Sequence, residues 1–175
     1  MPVTRTGTPT KILLGMGVFK IGNVSVGLTR GGGQFTVERT YREITADGDR
    51  GKYKDRIVID TSIPKLKMST IEVISENLKL LYPALSLEVD NEAGNTKVTG
   101  TGTIASSDYN PTVTWTGETK QGKQVVITLY NAINLDNLDW TLVEKDEVVA
   151  SVTYEGTYAE DSPADYEPWD IKYAN

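Results

Sequence analysis

The chain contains no cysteine and no histidine. Without cysteine there is no disulfide framework and no thiolate metal site. Without histidine, the commonest general base and the commonest metal ligand are both missing. Any catalysis would have to rest on carboxylates, lysine, tyrosine, serine or threonine, and no cofactor or metal is expected. Basic residues are outnumbered 18 to 24, giving a net charge of −6. That balance argues against wrapping nucleic acid, which needs a basic footprint, but not against a surface that DNA slides past. No apolar run approaches the ~20 residues of a membrane span, so no membrane association is expected. The opening MPVTRTGTPTK has no signal-peptide core. Without a secretory route the triplet Asn23-Val24-Ser25 means little as a glycosylation site, and the expected setting is a cytoplasm.

What is present reads as strands. A length of 175 residues suits one domain with its own core. Residues 1–10 are rich in Thr, Pro and Gly and read as an N-terminal arm. A domain is expected over 11–159, and an acidic C-terminal arm, or a docked strand, over 160–175. In the first part, 11–22 suggests a short strand, 23–29 another, and Gly31–Gly33 a turn. QFTVERTYREI (34–44) alternates, with Phe35, Val37 and Tyr41 on one face, Arg39 the exception among them, and Thr36, Glu38, Thr40 and Arg42 on the other. In DRIVIDTSIPKLKMST (55–70), Ile57, Ile59, Thr61 and Ile63 share a face opposite Arg56, Val58, Asp60 and Ser62. Pro64 marks an edge, bulge or bend.

One helix is expected at 75–82, with Ser75 as N-cap, Leu78, Leu81 and Tyr82 on one face, and Pro83 ending it. Strand pairs follow around Asn91–Asn95, at 112–133 with a turn near Lys120–Gly122, and at 137–143 with 147–159, turning at Lys145-Asp146. A mainly β chain with many short strands and Gly-rich turns points to a sandwich or barrel.

No active site stands out. The Gly-x-Gly runs at Gly15–Gly17 and Gly100–Gly102 have no helix behind them to form a phosphate cradle. The acidic pairs Asp47/Asp49, Asp136/Asp139, Asp146/Glu147 and Glu160/Asp161 fall in turn-like settings. Asp47-x-Asp49 lacks the twelfth-position glutamate of a calcium loop, since residue 58 is valine. Trp115 and Trp140 lie in strand patterns and read as core. An enzyme is not expected.

The stretch between the two best strands is unusual. A hairpin turns in two to five residues, yet residues 45–56 form a long loop carrying Asp47, Asp49, Arg50, Lys52, Lys54, Asp55 and Arg56. From 27 to 85 the chain resembles the major tail (tail tube) proteins of long-tailed bacteriophages of Gram-positive hosts. The matching residues are Glu38-Arg39, Ile44, Ala46-Asp47-Gly48, Gly51 with Lys54, and Ser75 through Pro83, over about a third of the chain.

The resemblance implies a β-sandwich with one short α-helix packed on its side, a long charged β-hairpin loop, and terminal arms. It implies hexameric rings that stack into a hollow tube conducting double-stranded DNA. Partners would be further copies of the chain, the tape-measure protein in the lumen, and tail terminator and distal tail proteins at the ends. The tail would be assembled in the host cytoplasm and reside in the virion. On that basis Thr36, Glu38, Thr40, Arg42, Asp60, Ser62, Ser151, Thr153, Glu155 and Thr157 are expected to face the lumen. Phe35, Val37, Tyr41, Ile57, Ile59, Ile63, Leu78 and Leu81 are expected to form the core under the helix, and the charged loop to stack subunits or rings. The inner tube of a contractile phage tail, a tail-like bacteriocin or a type VI secretion apparatus would share this architecture. A carbohydrate-binding β-sandwich using Trp115 and Tyr109 is a further alternative.

Overall fold

Period-two alternation dominates the chain, and strands dominate its structure. The computed structural model describes residues 7–174. The expected N-terminal arm therefore falls outside the described residues over 1–6, as does Asn175. The strands are β1 (Leu13–Ile21), β2 (Val24–Ser25), β3 (Thr29–Glu43), β4 (Ile57–Thr70), β5 (Leu85–Asp90), β6 (Asn95–Gly100), β7 (Asn110–Thr119), β8 (Gln124–Asn134), β9 (Ala150–Gly156) and β10 (Trp169–Tyr173). The helix α1 spans Ser75–Leu81. A small separate hairpin, β5–β6, turns through 91–94.

The main sheet is antiparallel, in the order β2-β1-β7-β8-β9-β4-β3. β8 divides its outer edge between two partners. Val125–Leu129 pair with β10, and Ala132–Asn134 pair with β9. Between them Asn131 takes a left-handed backbone (φ 48°), a local break of the kind that redirects a strand. The β3–β4–β9 wing then folds over the β1–β7–β8 wing. Phe35 of β3 stacks obliquely on Trp169 of β10, with ring centroids 5.5 Å apart. Gly33 of β3 sits against the ring of Phe19 of β1, where a Cβ would collide. The core between the wings holds Phe19, Ile21, Leu66, Met68, Val113, Leu129, Val152 and Tyr154. Trp115 and Trp140 are partly buried against it. Among the described residues the sheet does not close: β3 and β2 are its outermost strands.

The helix closes one end of the core with Leu78 and Leu81. Carbonyls in the last turn of a helix lack intrahelical partners, and here the sheet supplies them. The Tyr154 hydroxyl donates to Leu80 O at 2.7 Å, and Asn134 Nδ2 to Leu81 O at 2.7 Å. At the other end Ile74 occupies the cap position and the Ser75 hydroxyl turns to Glu76 instead. Ser75 is therefore the first helical residue rather than the N-cap.

Two strand expectations are corrected. Gly31–Gly33 do not turn the chain; they lie inside β3. Gly31 and Gly32 have positive φ and the β3–β4 register shifts there, a glycine bulge that only Gly accommodates without strain. Residues 137–143 form no strand. β9 pairs instead with the edge of β4, Lys65 through Thr70 against Glu155 through Ala150. Long-range pairing on an available edge outweighs a local hairpin. Of the two options for the C-terminus, residues 169–173 form the docked strand β10.

Candidate functional site

One face of the β3–β4–β9 wing is polar along its length except at Val58 and Ile63 of β4. Register places Thr36, Lys65 and Glu155 in one row and Gln34, Lys67 and Thr153 in the next, followed by Ser69 opposite Ser151. Lys65 Nζ bridges Glu38 at 2.9 Å and Glu155 at 3.1 Å. The Lys65 ammonium is held above its ordinary pKa by the hydrogen bond to Glu38 first, then by that to Glu155. Hydroxyl pairs Thr40–Thr61 (2.6 Å) and Ser69–Ser151 (3.0 Å), and the Arg42 Nε to Asp60 bond (3.0 Å), continue the network. The ionised groups on this face are Glu38, Asp60 and Glu155 against Arg42, Lys65 and Lys67, so the face carries no net charge.

Of the ten polar residues singled out from the sequence, this face brings together Thr36, Glu38, Thr40, Arg42, Asp60, Ser151, Thr153 and Glu155. Thr157 lies just past β9, where its hydroxyl donates to Asn131 O. Ser62 is a correction: it is buried on the opposite face. Its hydroxyl donates to Glu167 Oε2 at 2.7 Å and accepts from Arg39 Nε at 3.3 Å. The cause is a bulge. Thr40 pairs with Thr61 but Tyr41 pairs with Ile59, so Asp60 is an extra residue in β4. An extra residue exchanges the two faces of the strand beyond it. The alternation read across 55–63 therefore breaks in the middle.

The same bulge corrects the expected core. Ile63 falls on the polar face, opposite Glu38. Tyr41, Ile57 and Ile59 share the side that faces the core further down the strands, but they lie beyond the core's end and are at least half exposed. Phe35 and Val37 are half-buried. The residues that do fill β4's inner face, Pro64, Leu66 and Met68, follow the alternating PKLKMST pattern, which also carries the Lys65, Lys67 and Ser69 that sequence reasoning omitted from the polar face. Arg39, the misfit on an apolar face, is matched by Glu167 of the C-terminal segment at 3.4 Å. Glu167 also accepts from Trp169 Nε1 at 3.1 Å, so one carboxylate fastens this segment onto both β4 and β10.

The charged loop is built around Asp49. Its Oδ2 accepts from Ala46 N at 2.6 Å and from Arg56 Nη1 at 2.9 Å, while Asp49 N donates back to Ala46 O. The Arg56 guanidinium also lies over Tyr53, 4.9 Å from the ring centroid. Asp49 and Arg56 thus organise the loop internally. Asp47, Arg50, Lys52, Lys54 and Asp55 are exposed and, among the described residues, make no ion pair.

A second loop, 135–149, lies at the far end of the same wing. Arg30 at the start of β3 binds Asp146 at 3.0 Å and Glu147 at 2.6 Å. The Arg30 guanidinium lowers the Asp146 carboxyl, chiefly by its hydrogen bond. Trp140 anchors the middle of the loop against the core. Asp136 and Asp139 lie near Tyr82, whose phenol is raised by burial first and then by these two charges. No group of metal-binding side chains gathers among the described residues, and no helix among them is long and apolar enough to cross a membrane.

No family model matches the chain, and no curated protein matches it. Among solved structures, the chain is similar to the tube-terminating cap of the anti-feeding prophage, determined by cryo-EM. The similarity has a TM-score of 0.47 and 11% identity, and covers 99% of this chain and 96% of that one. Likeness at that level is too low to transfer a role.

Proposed function

We propose that this chain is a structural, non-catalytic subunit of a bacteriophage tail tube. Hexameric rings stack into a hollow tube, the tube first holds a tape-measure protein, and it then conducts double-stranded DNA. The reading rests on the tail-tube resemblance of residues 27–85 and is carried by one observation, the open sheet. Among the described residues β3, Thr29–Glu43, is the longest strand and pairs only with β4. A long unpaired edge is a template for association, and sharing edges between identical copies closes a barrel and removes it. In such a barrel the polar face of β3, β4 and β9 lines the bore. Its charges balance, and among the described residues only Lys67 lacks an ion-pair partner on the face, so phosphates meet few free fixed cations and DNA passes without a deep electrostatic trap.

Negative-stain microscopy of the purified protein tests this. The expected result is tubes, or rings, of uniform width. A protein that remains monomeric at high concentration, on micrographs and in sedimentation, overturns the reading.

The lumen assignment has its own test. Glu38→Lys removes one of the two carboxylates on Lys65 and turns the neutral face basic in every subunit. Tubes should still assemble, and DNA ejection from particles built with the variant should slow by roughly tenfold, with a steep dependence on salt. Ejection at the normal rate would place Glu38 outside the bore.

A further inference from the structure

The two ends of the β3–β4 wing carry complementary surfaces. At one end the loop 44–56 exposes Arg50, Lys52 and Lys54, flanked by Asp47 and Asp55, beside Ile44, Tyr53, Ile57 and Ile59. At the other the loop 135–149 holds five acidic residues and a single lysine, Lys145. It exposes Leu135, Leu138, Leu142 and Val143 among them. Neither loop belongs to a regular element. The loop 44–56 carries four basic and three acidic residues, a net charge of +1, against −4 on the loop 135–149, and both leave apolar side chains unburied. Exposed apolar groups rimmed by charge mark association surfaces.

We infer that the loop 135–149 of one copy receives the loop 44–56 of another, and that this contact sets the stacking direction. The inference rests on the tail-tube reading and assigns the acceptor that reading leaves open. The two loops cannot meet within one molecule. Arg30 ties the acidic loop to the start of β3, and the basic loop springs from Glu43 at its end. At about 3.3 Å per residue these points are ~40 Å apart. Complementary patches at opposite ends of one subunit are satisfied only by a second copy, head to tail, and a head-to-tail contact propagates as an open stack rather than closing as a pair. The apolar residues provide burial, while the opposite charges select the partner and its orientation. The acidic loop is prepared for this: Trp140 and the Arg30 pairs hold it in place before any partner arrives.

The test exchanges charge between the loops. Lys52→Glu with Lys54→Glu, or Asp136→Lys with Asp139→Lys, should each leave rings intact by mass photometry. Each should lower the yield of stacked tubes by at least about tenfold at physiological salt, and the two pairs combined should restore stacking. Because the chain has no cysteine, an introduced pair gives an independent reading. Lys54→Cys with Leu142→Cys in one chain should produce a ladder of disulfide-linked multimers on oxidation, where each single variant stops at the dimer. Normal stacking by both charge-reversed pairs, or no ladder from tubes carrying both cysteines, overturns the acceptor assignment while leaving the tail tube standing. Wild-type protein that forms neither rings nor tubes overturns both.

Discussion

Tyr154→Ala is expected to destabilise the subunit by about 4 kcal/mol, within the range for deleting a buried aromatic ring. Tyr154 is fully buried on β9, paired with Leu66 of β4. Its ring belongs to the core between the wings, and its hydroxyl holds the Leu80 carbonyl at 2.7 Å. Burial pushes the phenol's pKa far up, so it stays a neutral donor throughout the accessible pH range. Alanine leaves a cavity and deprives the helix of its strongest link to β9. Tyr154→Phe separates the two contributions. It keeps the ring and removes only the hydrogen bond, and Leu80 O retains Asn110 Nδ2 at 3.4 Å. The phenylalanine variant should therefore lose only about 1 kcal/mol. Denaturant unfolding of monomeric protein reads both, as midpoints shifted at unchanged slope. A loss below 1 kcal/mol for the alanine variant would mean that the wings do not close on Tyr154.

Gly117→Val is expected to cost about 3 kcal/mol, the upper range for overpacking a filled site. Gly117 of β7 pairs directly with Gly17 of β1, and the Trp115 indole lies across both. A Cβ on either glycine would fall within that ring. The two glycines thus form a flat seat that lets a tryptophan fold back along its own strand, an aromatic cover for a stretch with no side chains. Valine expels the indole, so tryptophan emission should shift to the red along with the loss of stability. The cycle with Trp115→Ala is diagnostic. Once the indole is gone, adding Gly117→Val should cost much less than it does alone. Full additivity would show that the glycine serves some other purpose.

The parts legible in the sequence were those with local causes. The helix at 75–81, the hairpin turning at 120–122 and the hairpin around 91–95 each follow from periodicity and turn residues. So does the polar outer side of β3, whose alternation runs unbroken from Gln34 to Arg42. What escaped was set by distant partners. Asp60 carries no signal in the sequence that it will be looped out of the β3–β4 register. The strand expected at 137–143 failed because β9 found β4. Arg39 looked like an error in an apolar row until Glu167, more than a hundred residues later, came to face it. The isoleucines of 57–63 were read as core from their hydrophobicity, but position along the hairpin, which composition does not encode, leaves them outside it.

The single surplus residue at Asp60 works as a phase shifter in the longest hairpin of the molecule. Below it the hairpin directs isoleucine, lysine and serine outward from β4 and keeps the greasy residues beneath. Above it the assignment inverts, and Ile57 and Ile59 come round to the side of Tyr41, past the reach of the core. One stretch of chain thereby presents two surfaces, a polar face along its lower half and an apolar patch at its tip, and neither constrains the composition of the other.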